Sequence, residues 1–209
     1  MGSRYYLSKI SFKEIERELK ESKISSNYGD IEKLPFLEVY HYHEWDHGYE
    51  TNYGYNGTRR EFYSDLSDIL NFLYKYINHH KITEFIVTPW YDYDQFVCNA
   101  KYYDNCVDIY DEICNFLKKY GVRRSSRVGI KLPVKGNKDV IEMIIEGAFR
   151  GISTLRLFFA SNNVILDPNH HFGLTFWTQN YLQESIVIKE LLKTYPNLRY
   201  SDKEDRAAK

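Results

Sequence analysis

Between Arg127 and Ser161 the chain changes its hydrophobic period twice. "RVGIKLP" alternates at the two-residue period of a strand, "NKDVIEMIIEGAFRGI" repeats at helical spacing, and "TLRLFFAS" returns to a short apolar run. Strand, helix and strand of these lengths predict a βαβ unit over residues 127–160 with its two strands parallel. A helix buries its apolar stripe against the face of a sheet, so this unit directs the chain toward a layered α/β or α+β body.

The flanking segments extend that pattern. "YYLSKIS" reads as a first strand, after which Ser11 and Glu14 form a capping box and Ile10 and Ile15 a hydrophobic staple. Phe12, Ile15 and Leu19 give the following helix its apolar stripe. Residues 36–45, "FLEVYHYHEW", alternate as a long strand. Leu37, Val39, His41, His43 and Trp45 share one face; Phe36, Glu38, Tyr40, Tyr42 and Glu44 share the other. Thr58 and Glu61 repeat the capping box, and Phe62, Leu66, Ile69, Leu70, Leu73 and Ile77 follow at helical spacing to about His80. "EFIVTPW" is a short strand ended by Pro89. A helix over about 104–120 carries acidic residues early and lysines late, with Gly121 at its C-terminal cap. "NNVILDPNHHFGLTFWT" predicts two strands joined by an Asp-Pro-Asn turn, and Asn180 with Gln183 caps a last helix that stops near Pro196. The reading is a single α/β or α+β domain over residues 1–199. It has a mixed sheet covered by helices and an antiparallel C-terminal portion, followed by a charged, frayed tail over 200–209.

Composition narrows the function classes. The 209 residues carry a formal net charge of −1, so no global field favours nucleic acid or anionic lipid. No run reaches the ~18 apolar residues of a membrane span. Three cysteines without a Cys-x-x-Cys pair predict a reducing compartment, hence a cytoplasmic protein. The outlier is the aromatic content, 20 Tyr, 12 Phe and 3 Trp. Tyrosine combines a large apolar ring with a hydrogen-bonding hydroxyl and is common at interfaces.

Much of that aromatic content gathers in "LEVYHYHEWDHGYETNYGYNG", residues 37–57. His41 and His43, two apart on a strand, project to one side, and Asp46 and His47 follow; this donor set suits a borderline cation such as zinc. The run His41-Tyr42-His43-Glu44-Trp45-Asp46-His47 resembles the His-x-His-x-Asp-His motif of metallo-β-lactamase-fold hydrolases. One extra residue precedes Asp46-His47 and rotates them from the family's positions, and the likeness covers seven residues, so no activity is carried over. The same stretch also reads as a recognition surface. Tyr40, Tyr42, Trp45, Tyr49, Tyr53 and Tyr55 supply rigid amphipathic area, and Gly48, Gly54 and Gly57 let the backbone adapt.

A second cluster, "TPWYDYDQF", places Trp90, Asp92 and Asp94 just past a strand. Carboxylates beyond the C-terminal end of a parallel strand are well placed for a ligand. No Walker loop, dinucleotide fingerprint, nucleophile elbow or His-Glu-x-x-His occurs. The expectation is a non-enzymatic cytosolic binding protein with no cofactor, specifically a bacterial immunity or inhibitor protein. It would neutralise a toxin or a defence or phage effector by protein–protein contact through the aromatic-rich region. The alternatives are a metal-dependent nuclease or phosphoesterase built on His41, His43, Asp46 and His47, and a nucleotide-binding sponge.

Overall fold

A computed structural model describes residues 8–21, 34–41, 58–89, 107–122, 128–153, 155–169 and 171–202. Their order is β1 (Ser8–Ser11), α1 (Phe12–Glu21), β2 (Phe36–His41), α2 (Arg59–His79), β3 (Glu84–Pro89), α3 (Val107–Lys119), β4 (Val128–Pro133), α4 (Lys138–Phe149), β5 (Leu155–Phe159), β6 (Val164–Asn169), β7 (Gly173–Thr178), α5 (Tyr181–Leu192) and β8 (Leu198–Asp202). A single 3-10 turn, Ala160–Asn162, lies between β5 and β6.

The eight strands form one sheet in the order β1-β4-β3-β5-β6-β7-β2-β8, and every neighbouring pair is antiparallel. The expected crossover is therefore split. β4 and β5 run in the same direction, but β3 lies between them and pairs with both. Hydrophobic period encodes which face of a strand is buried and says nothing about which strand inserts beside it.

The two faces of the sheet have different cover. On one, Leu37, Val39, Phe85, Val87, Ile130, Leu157, Leu166 and Phe176 pack beneath α2, α3, α4 and α5 in the main core. Residues of alternate parity face the other side, where Ile10, Ile15, Ile86, Phe158 and Ile165 form a smaller cluster. α1 closes on that side because β4 offers Gly129 at the contact. A Cβ there would meet Ile15 Cδ1 at 2.6 Å and Ile86 Cγ2 at 2.9 Å.

Local signals explain the element ends. The Ser11–Glu14 capping box forms, with the Glu14 backbone N–H donating to Ser11 Oγ at 3.3 Å and the Ser11 N–H donating to Glu14 Oε2 at 2.7 Å. The Thr58–Glu61 box repeats it, opening α2. Gly121 takes φ +62 just past α3, the left-handed conformation that favours glycine after a helix. Two expected ends differ. Asp167, Pro168 and Asn169 belong to β6 and pair with β7, Asn169 lying opposite Gly173, so they are not the turn. Proline has no N–H to give a ladder, and Pro168 lies past the last paired residues of β5 and β6. Asn180 is the N-cap of α5 but makes no side-chain cap bond. The domain also continues beyond residue 199: β8 docks on β2 as an edge strand through Asp202.

Candidate functional site

The pairing pattern fixes strand directions, and these place the residues that precede the singled-out segments at one end of the sheet. β1, β2, β3 and β6 run one way, and β4, β5, β7 and β8 the other. His41 ends β2, Pro89 ends β3 and Asn169 ends β6, so all three lie at the same end. The aromatic-rich segment follows His41, and the Trp90/Asp92/Asp94 segment follows Pro89. Three strands separate β2 from β3, which puts these departure points about 19 Å apart at ~4.8 Å per strand step.

Residues at this end are held by contacts from several elements. His41 is 2% exposed and faces the helical layer, as the alternation in β2 predicts. Its Nε2 lies 3.4 Å from Asp65 Oδ1 and 3.9 Å from Asp68 Oδ2, both on α2. Asp68 in turn accepts a hydrogen bond from Asn197 Nδ2 at 2.9 Å, just before β8. The His41 N–H donates to the carbonyl of Phe172 at 3.3 Å. Phe172 itself takes φ +60, a conformation rarely adopted by a bulky residue. Burial holds it there: its ring meets Phe62 edge-on at 5.2 Å and Phe149 at 4.4 Å. Strained backbone of this kind persists where the surroundings over-determine it and concentrates at functional positions.

On the opposite face a row of polar residues crosses the sheet. Ser201, Glu38, Thr175 and Asp167 are successive cross-strand partners on β8, β2, β7 and β6. Arg156 on β5 completes the row with a two-pronged ion pair to Asp167, at 2.7 and 2.8 Å. Glu38, 8% exposed, accepts from Asn169 Nδ2 at 3.1 Å, and Ser201 Oγ donates to its other oxygen at 3.4 Å. The Glu38–Asn169 bond passes directly over Gly173. A Cβ on Gly173 would lie 3.0 Å from Asn169 Nδ2 and 3.1 Å from Glu38 Oε1. Tyr40 shares this face, half-buried, while Phe36 and Trp177 pack together at 5.0 Å along the same side.

Of the residues singled out in the sequence, Tyr40 and His41 are placed by the structure, on opposite faces of β2. Tyr42, His43, Trp45, Asp46, His47, Tyr49, Tyr53, Tyr55, Trp90, Asp92 and Asp94 lie outside the described residues. Among the described residues no group of three or more His, Cys, Asp or Glu side chains is disposed to hold a metal ion. β3 pairs antiparallel on both sides, so the parallel-strand rule lends no support to a ligand at Asp92 and Asp94. His171 is exposed at the hairpin and donates its N–H to Asn169 Oδ1 at 3.0 Å. No helix among the described residues is long and apolar enough to cross a membrane.

Several of the tyrosines serve the frame instead. Tyr63 and Tyr74 of α2 donate to Glu146 and Glu142 of α4, each at 2.9 Å, and Tyr76 donates to Glu184 of α5 at 2.8 Å. Tyr200 of β8 donates to Asp202 at 3.1 Å and lies 3.0 Å from Ser185 Oγ. Burial first, and then the neighbouring carboxylate, pushes the Tyr74 and Tyr76 phenols above their ordinary value, so these hydroxyls remain donors. Lysines lie over the same kind of ring: Lys138 over Tyr74 at 4.6 Å and Lys189 over Tyr200 at 4.7 Å. Sequence reading did not anticipate these contacts. The available signal was an acidic residue inside an apolar helical stripe, as at Asp65 between Phe62 and Leu66, and at Glu184 one turn before Ile188.

Compared with protein-family models, with curated proteins and with solved structures, the chain matches none.

Proposed function

We propose that this chain is a non-enzymatic binding protein that recognises another protein through the His41 end of its sheet. The aromatic-rich 42–57 segment supplies the main contacts and the 90–106 segment the flank. Within that class, we put forward an immunity or inhibitor role, in which contact with a bacterial toxin or a defence or phage effector blocks its action.

One observation carries the reading: both chain ends that bound the 42–57 segment are fixed by rigid elements. His41 is sealed between β2, α2 and the Phe172 carbonyl, while Thr58 is locked by its capping box at the start of α2. Recognition residues are disproportionately carried on connections held by a rigid scaffold, because the scaffold limits the entropy lost on binding. The 90–106 segment starts about 19 Å away at the same end of the sheet. One partner covering ~800 Å² could touch both segments.

The test is co-purification from the native source with the full chain as bait. Wild type should retain a stoichiometric protein partner that Trp45→Ala and Tyr49→Ala each weaken. Retention of the partner by both variants, with the fold intact, would refute the assignment to this end.

A further inference from the structure

Hydrogen-bond parity leaves β8 with an open outer edge. The His41 N–H donates to the carbonyl of Phe172 and the Thr178 N–H to that of Pro35, so the odd-numbered residues of β2 turn their backbone groups toward β7. Antiparallel pairing alternates, so Glu38 and Tyr40 bond to Ser201 and Arg199 of β8. The backbone groups of Leu198, Tyr200 and Asp202 therefore point away from β2. At Leu198 both are taken: its N–H donates to the Tyr195 carbonyl at 3.1 Å, and its own carbonyl accepts from Arg199 Nη1 at 3.0 Å. Among the described residues β2 is the only strand beside β8, and Tyr200 presents an N–H and a carbonyl outward.

The opposite edge of the sheet is closed. The same alternation leaves Lys9 and Ser11 outward on β1. The Ser11 N–H donates to Glu14 where the chain turns into α1, and lysine is a residue that edge strands carry against pairing.

α5 flanks the open edge. Its Ser185 and Lys189 reach Tyr200, while Glu184 faces α2 through Tyr76. Leu182 and Ile186 stand about 20° and 60° round the helix from Lys189, on the flank away from α2. They are 77% and 71% exposed. Lys189 on the helix and Arg199 on the other face of β8 make this rim basic, since Glu190 is paired with Lys193. We propose that the β8 edge takes an extended segment of another protein as an added strand, with apolar side chains toward Leu182 alternating with acidic ones beside Arg199. Main-chain bonds at Tyr200 supply affinity in such strand addition, and the alternate side chains supply selectivity. A second copy of this chain fits less well, because β8 set against itself would bring two basic rims together.

The probe is an acetylated and amidated peptide, Val-Glu-Val-Glu-Val-Glu-Val, titrated into the full chain. At saturation, amide hydrogen exchange at Tyr200 should slow on the order of tenfold, with exchange over Val140–Ile145 of α4 unchanged. A peptide with proline at its central position lacks the N–H there and should bind about tenfold more weakly. Arg199→Glu should weaken the glutamate peptide about tenfold and strengthen Val-Lys-Val-Lys-Val-Lys-Val by a similar factor, the swing between an attractive and a repulsive cross-strand pair. If that variant does not fold, the wild type decides by preferring the glutamate peptide to the lysine peptide about tenfold. No slowing at Tyr200, equal binding of the proline peptide, no preference between the charged peptides, or a concentration-dependent dimer that protects Tyr200 without peptide would overturn the proposal.

Discussion

Nε2 of His41 and Oδ1 of Asp65 lie 3.4 Å apart in the layer between β2 and α2, each nearly removed from solvent. This pair joins the last residue of β2 to the second turn of the following helix, and so fixes the frame from which the aromatic-rich segment departs. Removing either partner leaves a buried polar group whose surroundings were built around the other. His41→Ala and Asp65→Ala should each lower unfolding free energy by about 2–3 kcal/mol, and their effects should be non-additive. Urea unfolding of the two single variants and the double variant measures this. Additive losses would show that the two residues act independently.

The same geometry bears on metal binding. His41 is directed at α2 carboxylates inside the body. Treatment with a chelator should leave the thermal midpoint unchanged, and elemental analysis should find less than one zinc per ten chains. A stoichiometric ion, with a midpoint that falls on chelation, would instead assign His41, His43, Asp46 and His47 to a metal centre.

Gly173 tests the polar row on the opposite face. Gly173→Ala would push a methyl group into the Glu38–Asn169 bond, with approaches of 3.0 and 3.1 Å. The expected loss is about 1–3 kcal/mol, the ordinary cost of overpacking. Gly136, which has φ +85 and nothing near its Cβ position, would respond to backbone strain alone. Pairing Gly173→Ala with Asn169→Ala should recover part of the loss, because the obstructing amide is then gone.

The tyrosine–carboxylate clamps should rank by burial. Tyr76→Phe leaves a buried Glu184 without its phenol donor and should cost about 1–3 kcal/mol. Tyr63→Phe, at a ring 36% exposed, removes a bond that water replaces and should cost about 0.5 kcal/mol. Equal costs would mean that the hydroxyls do not hold the helical layer together.

How much of this was legible in the sequence depended on the range of the interaction. Period and capping are local, so the alternation of Leu37, Val39 and His41, both capping boxes and the position of Gly121 could all be read directly. Strand order is not local. Nothing in "RVGIKLP" or "TLRLFFAS" says that β3 would lie between them, and an all-antiparallel sheet resulted where a parallel pair was expected. β8 was missed because "LRYSD" is short and polar. Its pairing depends on β2 offering an open edge and on Tyr200 and Asp202 meeting α5. For the candidate site, the sequence identified the unusual segments. That they depart from one end of the sheet depends on the antiparallel directions of β2, β7, β6, β5 and β3, which only the fold supplies.

The proposed recognition through the His41 end is tested most directly by titrating the full chain against whatever protein co-purifies with it, comparing wild type with a Trp45→Ala, Tyr49→Ala double variant of unchanged melting temperature. Two aromatic anchors at about 2 kcal/mol each should weaken Kd on the order of 1,000-fold, while Leu182→Ala on the α5 surface should leave Kd as it was. An unchanged Kd in the double variant, or a Kd that follows Leu182 instead, would contradict recognition through this end of the sheet.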